Sequence, residues 1–260
     1  MKIVASGDAQ LRVEHTLRPG APALLLINSL GTHLGMWDDQ CQALSERYEL
    51  IRYDTRGHGK STTGSQTELT LEQLARDALA VLDACGIVRA HICGVSLGGM
   101  TAMQIARQAP DRVLKLVLSN TSTYMPPRET WAARIEQVSK EGMESVVEAT
   151  LGRWFTPEFL AKAPDKVARI RAMIVATDPK GFVACCAAIR DMDLRESIRQ
   201  ITAKTMVICG LRDPGTPLPH AQHIQSRIEG SKLVTFDTAH LSNIECAAPY
   251  TEALQNFLLT

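Results

Sequence analysis

The stretch Ala90-His91-Ile92-Cys93-Gly94-Val95-Ser96-Leu97-Gly98-Gly99-Met100 decides the fold of this chain. Its first six residues form an apolar run that is typical of a buried strand, and the residues from Leu97 to Gln108 predict a helix that Pro110 ends. The pattern Gly-x-Ser-x-Gly between a strand and a helix predicts a nucleophile elbow, a sharp turn that exposes the serine hydroxyl at the carboxyl edge of a sheet. Without that context the pattern is only moderately specific, and a glycine-rich tight turn is the alternative interpretation. In this context Ser96 is the candidate nucleophile.

Strand-like and helix-like segments alternate on both sides of this stretch. The predicted strands are Ala23–Asn28, Tyr48–Tyr53, Ala90–Val95, Val113–Leu118, Thr205–Gly210 and Lys232–Phe236, and the predicted helices include Met36–Arg47, a segment from Thr70 to Gly86, His220–Ile228 and Ala248–Leu259. Alternation of this kind predicts an α/β fold, in which a mostly parallel, doubly wound sheet carries helices on both faces.

The alternation stops between Thr121 and Arg190, where no segment predicts a strand. This interval instead favours several short helices broken at Pro157, Pro164 and Pro179. We therefore expect a core domain made of residues 1–120 and 191–260, with residues 121–190 inserted as a helical lid, because insertions between strand ends often cover a site.

A serine nucleophile needs a base and an acid, which in this type of fold follow it in the order Ser, acid, His. His240 comes just after the last predicted strand, and Asp213 comes just after the strand before it. Both residues should therefore lie at the same sheet edge as Ser96. Asp237 is the alternative acid, but it is only three residues before His240, which makes facing geometry awkward.

Acyl transfer also needs donors for a developing oxyanion. One should be the backbone N–H of Leu97, directly after the nucleophile, and the other should come from the loop after the first buried strand. Leu30 is the candidate in that loop, and Ser29 is the alternative.

The composition excludes several other classes of protein. The 260 residues are 45% hydrophobic, with 28 basic and 28 acidic side chains, which argues against disorder and against a nucleic-acid-binding surface.

The longest uncharged apolar run, Ala21–Ile27, is too short to span a membrane, and the N-terminus lacks a signal-peptide core. The seven cysteines contain no Cys-x-x-Cys pair, so we expect free thiols and a cytoplasmic protein. His220 and His223 have no apparent third ligand, so no metal site is expected.

With these motifs the chain resembles the α/β-hydrolase family, and within it the 3-oxoadipate enol-lactonases. The resemblance covers nearly the full length. It rests on the segments Asn28–Thr32, Met36–Asp38, Asp54–Gly59, Gly94–Met100, Gly152–Thr156, Cys185–Asp191 and His240–Glu245. The two lid segments, Gly152–Thr156 and Cys185–Asp191, are the most discriminating of these.

The resemblance implies a small lactone substrate that bears a carboxylate, and no metal or organic cofactor. We expect Ser29, Trp131, Trp154 and Arg190 to bind this substrate, with Arg128 as a second candidate for the counter-charge. The sequence leaves the oligomeric state open and predicts neither a nucleic-acid nor a membrane partner. A carboxylesterase, a carbon–carbon bond hydrolase and a perhydrolase remain alternatives, as does a non-catalytic ligand receptor, because the fold alone does not separate them.

Overall fold

An eight-stranded sheet forms the centre of the protein in the computed structural model, which describes residues 1–259. Its strands are β1 (Lys2–Ser6), β2 (Ala9–Thr16), β3 (Ala23–Ile27), β4 (Glu49–Tyr53), β5 (Ala90–Val95), β6 (Val113–Ser119), β7 (Lys204–Gly210) and β8 (Lys232–Phe236). The spatial order is β1-β2-β4-β3-β5-β6-β7-β8. The pairs β1–β2 and β2–β4 are antiparallel, and every other pair is parallel. The predicted α/β class with a mostly parallel sheet is confirmed.

Helices follow most of the strands and cover both faces of the sheet. Those of the sheet region are α1 (Asp38–Leu44), α2 (Leu71–Ala84), α3 (Leu97–Gln108), α9 (Leu218–Arg227), α10 (Ser242–Glu245) and α11 (Ala247–Leu259). Five more helices lie between β6 and β7, namely α4 (Arg128–Glu141), α5 (Glu144–Trp154), α6 (Pro157–Lys162), α7 (Pro164–Val175) and α8 (Pro179–Asp191). We call these five the helical insertion. Its role as a separate lid stays a prediction.

The prolines of the helical insertion begin helices and do not merely interrupt them. Pro157, Pro164 and Pro179 are the first residues of α6, α7 and α8. Proline suits this position because its fixed φ is already helical and because the N–H it lacks would have had no partner in the helix. The predicted breaks at these three prolines therefore coincide with the starts of three helices.

Two parts of the predicted secondary structure differ from the structure. The N-terminal hairpin of β1 and β2 was not predicted, because β1 is only five residues long and buries only two of them. The helix predicted over Met36–Arg47 is split into a 3-10 turn at Leu34–Trp37 and the shorter helix α1. β1 and the 3-10 turn are too short for a hydrophobic pattern to fix them without tertiary contacts, whereas β2 shows an alternating pattern over eight residues that was not recognised.

The parallel register brings the carboxyl ends of the central strands to one edge. Ile27 at the end of β3 pairs with Gly94, and Val95 pairs with Ser119 at the end of β6. At β7 and β8, Gly210 pairs with Phe236. The loops after β3, β5, β6, β7 and β8 therefore meet at the same edge, which is where an open parallel sheet usually binds ligands.

No single helix within residues 1–259 has the length and apolar composition needed to cross a bilayer. The consecutive helices α7 and α8 meet both criteria only when taken together, and the chain bends by 92° between them.

A buried ion pair fixes the turn after β4. The Arg56 guanidinium donates to both carboxylate oxygens of Asp77 in α2, at 2.5 and 3.0 Å, and also to the Ser6 carbonyl at 2.6 Å. The side chains of Arg56 and Asp77 are each about 1% exposed. The next residue, Gly57, packs so closely on α8 that a Cβ there would lie 2.3 Å from the Gly181 Cα. The ion pair therefore helps to seat the helical insertion on the core.

We expect Asp77→Ala to lower the free energy of unfolding by about 3–5 kcal/mol, because it leaves the Arg56 charge buried without its main partner. Asp83→Ala is the matched control, since Asp83 lies on the same helix in an exposed pair with Arg112 and should cost at most about 1 kcal/mol. Urea unfolding of both variants measures the difference. Losses of equal size would contradict this interpretation of the ion pair.

Candidate active site

Ser96 stands at the junction of β5 and α3 in a strained backbone conformation, with φ 57° and ψ −117°. Its glycine neighbours permit the turn. A Cβ at Gly94 would lie 2.1 Å from the Gly98 carbonyl oxygen, and a Cβ at Gly98 would lie 2.2 Å from the Ile27 carbonyl oxygen. The Thr121 hydroxyl donates to the Ser96 carbonyl at 2.7 Å and so secures the turn from the neighbouring strand end. This geometry matches the predicted elbow.

Asp213 and His240 meet at the ends of β7 and β8. The His240 Nδ1 lies 2.7 Å from the Asp213 Oδ2, so this ring nitrogen donates to the carboxylate. The N–H groups of Gly215 and Thr216 donate to Asp213 Oδ1 at 2.8 and 3.1 Å, and the Thr216 hydroxyl donates to Oδ2 at 2.5 Å. Asp237, the alternative acid in the sequence, lies exposed.

The environment of Asp213 favours its ionised form. Burial by itself would raise the pKa of this carboxyl. The charge and hydrogen bond of His240, together with the hydrogen bonds from Thr216, outweigh burial and hold the pKa well below its usual range. Asp213 is therefore a permanent anion next to the imidazole at neutral pH.

Asn120, which the sequence analysis did not single out, links Asp213 to the backbone directly before His240. It follows β6 with φ 44°, a left-handed conformation that asparagine tolerates better than most residues. Its amide Nδ2 donates to Asp213 Oδ2 at 3.1 Å and to the Ala239 carbonyl at 3.2 Å. Its Oδ1 accepts from the Ser242 hydroxyl at 2.9 Å. The signal that could have found it is its position as a polar residue directly after a parallel strand.

A cavity of about 240 Å³ opens above the elbow. Ser96, Asp213 and His240 all line it, and so do the predicted substrate-binding residues Ser29, Trp131 and Trp154. His240 uses Nδ1 for its bonds to Asp213 and Thr216, which leaves Nε2 as its free ring nitrogen. Within residues 1–259 no hydrogen bond joins the Ser96 hydroxyl to His240, and such bonds are often long before substrate binds.

The two predicted oxyanion donors have free backbone N–H groups. Leu30 lines the cavity, and Leu97 is the first residue of α3 directly after Ser96. Within the described chain, neither N–H donates to another backbone group outside regular secondary structure. The first N–H groups of a helix have no partner within the helix, and they favour negative charge nearby.

Two arginines that the sequence analysis did not single out line the same cavity. The guanidinium of Arg134 lies 4.7 Å from the centre of the Trp131 ring, and Arg153 donates to the Thr150 hydroxyl at 3.3 Å. Neither has a carboxylate within 4.0 Å in the part of the chain that the structure describes. Burial lowers the pKa of both, and the charge of Arg134 lowers the pKa of Arg153 further. Two unneutralised cations in one cavity are suited to an anionic ligand.

The structure does not bring Arg190 and Arg128, the residues predicted to supply this counter-charge, to the cavity. Arg190 donates to Glu68 at 3.0 Å and to Asp191 at 2.6 Å, and Arg128 pairs with Asp191 as well. Neither side chain is among those that line the cavity. Acidic neighbours already neutralise both, which composition alone does not reveal. Within residues 1–259 no group of three or more His, Cys, Asp or Glu side chains is arranged to hold a metal ion.

The family model for the alpha/beta hydrolase fold matches residues 22–247, and the chain belongs to this family. It is 34% identical over 238 residues to 3-oxoadipate enol-lactonase 1 of Acinetobacter baylyi, covering 92% of this chain and 89% of the relative. It is 27% identical to a putative carbamate hydrolase, RutD, of Stutzerimonas stutzeri, with 93% of each chain covered. The crystal structure of the enol-lactonase from Burkholderia xenovorans superposes with a TM-score of 0.97, at 35% identity and 100% coverage of both chains.

The low pKa of Asp213 predicts how this residue affects stability in acid. The folded pKa is lower than the unfolded value of about 3.9, so the ionised carboxylate stabilises the fold fully above that value. That stabilisation is lost as the pH falls through the unfolded pKa towards the folded one. As the pH is lowered from about 5 to about 3, we expect the melting temperature of wild type to fall relative to that of Asp213→Asn.

Circular dichroism melts across this range measure the effect. Asp237→Asn is the matched control, because Asp237 is exposed and should change the melting temperature little at any pH. A difference between wild type and Asp213→Asn that stays constant, or shifts in favour of wild type as the pH falls, would contradict the assigned pKa direction.

Proposed function

We propose that the protein hydrolyses 3-oxoadipate enol-lactone to 3-oxoadipate, as a step in the catabolism of aromatic compounds through the β-ketoadipate pathway. The observation that carries this proposal is one small cavity that combines Ser96, His240 and Asp213 with two arginines that lack acidic partners. Relatives named as 3-oxoadipate enol-lactonases, at about one third identity over most of the chain, support the choice of substrate.

Ser96 attacks the lactone carbonyl carbon, and His240 takes its proton at Nε2. Asp213 keeps the imidazole in the tautomer with the proton on Nδ1 and stabilises the imidazolium that forms. Because Asp213 stays ionised, it fulfils this role throughout the neutral pH range.

The negative charge that develops on the carbonyl oxygen is held by the N–H groups of Leu30 and Leu97. Each donor of this kind contributes about 3–4 kcal/mol to the stability of a transition state in comparable hydrolases. A Cβ at Gly98 would lie 2.2 Å from the Ile27 carbonyl oxygen, and this close packing of the start of α3 on the end of β3 supports assigning both N–H groups to one oxyanion site.

The tetrahedral intermediate collapses when the carbonyl carbon breaks its bond to the ring oxygen. The ring oxygen leaves as an enolate, and the proton that His240 took from Ser96 passes to this leaving group, so that the ketone of the product forms and His240 becomes neutral again. An enolate is a better leaving group than an alkoxide, so this step needs little acid assistance. Neutral His240 then deprotonates a water molecule that attacks the acyl carbon, the bond to Ser96 breaks, Ser96 takes the proton back from His240, and the new carboxylate is released. Ser96, His240 and water donate and accept every proton in this mechanism, so we propose no cofactor.

Arg134 and Arg153 bind the acetate side chain that the lactone carries. A planar guanidinium matches a carboxylate in a two-point hydrogen bond, and the partly buried site strengthens the attraction. Trp131 stacks against Arg134 and gives it an apolar support that water does not reach easily. The volume of about 240 Å³ lies below the range of drug-sized pockets, as a small lactone requires.

The direct test follows the ultraviolet absorbance of freshly generated enol-lactone with wild type and with Ser96→Ala. We expect the variant to lower kcat by about 10⁶-fold, to the spontaneous rate, since loss of the nucleophile alone inactivates such sites. Ser226→Ala, at an exposed serine of α9, is the matched control and should keep wild-type turnover. Equal turnover by wild type and Ser96→Ala would refute the serine mechanism.

Arg134→Met and Arg153→Met test the substrate charge. We expect each to raise the KM for the lactone at least about 10-fold, because a charge-assisted hydrogen bond contributes about 1.5–3 kcal/mol. Hydrolysis of a neutral aryl ester should stay within about threefold of wild type. Arg190→Met is the control and should leave both substrates unaffected. Equal losses on the neutral and the anionic substrate would contradict carboxylate binding by these arginines.

Carbamate cleavage by the same serine is the second candidate, because the relatives also include putative carbamate hydrolases at 27% identity. A small carbamate assayed beside the lactone separates the two activities. Serine-dependent cleavage of the carbamate, without turnover of the lactone, would retain Ser96 as the nucleophile and replace the proposed substrate.

A further inference from the structure

The loop that carries His240 is held from the side of the helical insertion. The N–H groups of His240 and Leu241 both donate to the Trp154 carbonyl, at 3.1 and 3.2 Å. Trp154 is the last residue of α5, and carbonyls at a helix C-terminus have no partner within the helix. The carbonyl at the end of α5 is therefore paired with the backbone of the loop at residues 237–241, which carries His240 and which we call the histidine loop.

Glu245 makes a second link between the same two segments. One carboxylate oxygen accepts from the Ala239 N–H at 2.9 Å, immediately before His240. The other accepts from the Thr156 N–H at 3.3 Å and from the Thr156 hydroxyl. Thr156 and Glu245 are 89 residues apart in the chain. A single carboxylate thus joins the α5–α6 junction to the histidine loop.

The same junction reaches the substrate cavity. The indole of Trp154 stacks on the His240 imidazole, with ring centres 6.1 Å apart and an interplanar angle of 25°. Trp154 and the preceding Arg153 both line the cavity. The segment 153–156 therefore contacts the substrate space, the imidazole and the backbone that carries the imidazole.

These contacts explain two sequence motifs that the triad does not account for. Gly152–Thr156 and His240–Glu245 each look like local patterns in the sequence, yet in the fold they supply the two halves of one hydrogen-bonded unit. We call Trp154, Thr156, Ala239 and Glu245 the histidine clamp. Asn120 holds the Ala239 carbonyl from the opposite side, so the backbone before His240 is fixed by polar contacts from both directions.

We propose that Glu245 is a positioning residue that locks the α5–α6 junction onto the histidine loop and so keeps the His240 imidazole aimed at Ser96. Glu245 touches no substrate atom and acts through Ala239 and Thr156. The inference rests on Ser96 and His240 carrying out ester hydrolysis, but it does not depend on which ester is the substrate.

The test measures kcat and KM for a neutral aryl ester with Glu245→Ala and Thr156→Val. We expect Glu245→Ala to lower kcat about 10–100-fold while KM stays within about threefold, because a displacement of the base on the order of 1 Å costs rates of this size. Thr156→Val should lower kcat less, and Thr156→Ser should restore it, since serine retains the hydroxyl donor. Glu252→Ala, at an exposed position on α11, is the matched control and should behave as wild type.

The double variant Glu245→Ala/Thr156→Val tests whether the two residues act as one unit. We expect its kcat to match that of Glu245→Ala alone, because residues within one hydrogen-bond network are not additive. Wild-type kcat in folded Glu245→Ala would overturn the proposal, as would effects that multiply in the double variant or a loss confined to KM. If Glu245→Ala does not fold, Thr156→Val and its serine rescue decide the matter. If Ser96→Ala is inactive while Glu245→Ala and Thr156→Val keep the wild-type kcat, Ser96 remains the proposed nucleophile and only the positioning role of Glu245 is rejected.

Discussion

The close approach of backbone at the elbow is the constraint on which the rest of the active site depends. Ser96 adopts a positive φ, and the chain on either side passes so near its neighbours that a single added Cβ at Gly94 or Gly98 would overlap a carbonyl group. That strain is tolerated because the buried strand β5 and the helix α3 hold the two ends of the turn. The same close approach brings the start of α3 against the end of β3 and the loop that follows it. The proposed nucleophile and the proposed oxyanion donors therefore come from one local packing arrangement.

The sequence predicted those parts of the site that depend on position along a parallel sheet. Ser96, Asp213 and His240 each follow a strand, and parallel strands deliver their carboxyl ends to one edge, so chain order and hydrophobic pattern were enough. The N-terminal hairpin was missed because β1 is short and mostly exposed, so its pattern is weak. Asn120 was missed for another reason: its importance lies in hydrogen bonds to two segments that are distant in sequence.

The arginines of the helical insertion show more clearly what the sequence composition alone does not predict. The helical insertion contains several basic side chains, and nothing in their local sequence separates Arg134 and Arg153 from Arg128 and Arg190. The difference arises only in the fold, where acidic side chains neutralise Arg128 and Arg190 while the other two face the cavity. Whether an arginine lacks an acidic partner depends on its neighbours in the folded structure, so the local sequence does not show it. The helical insertion thus supplies the proposed substrate-binding charges, and it also hydrogen-bonds to the loop that carries His240 through the residues of the histidine clamp.

Covalent labelling of the protein with a fluorophosphonate, read by intact mass and peptide mapping, tests the central claim most directly. We predict a single phosphonyl group on Ser96 and slower labelling when 3-oxoadipate is present, whereas the uncharged dimethyl ester of 3-oxoadipate should protect far less. Such a result would place an activated serine and a carboxylate-binding cavity in the same site. Labelling at another residue, no labelling at all, or a labelling rate indifferent to 3-oxoadipate would contradict the account.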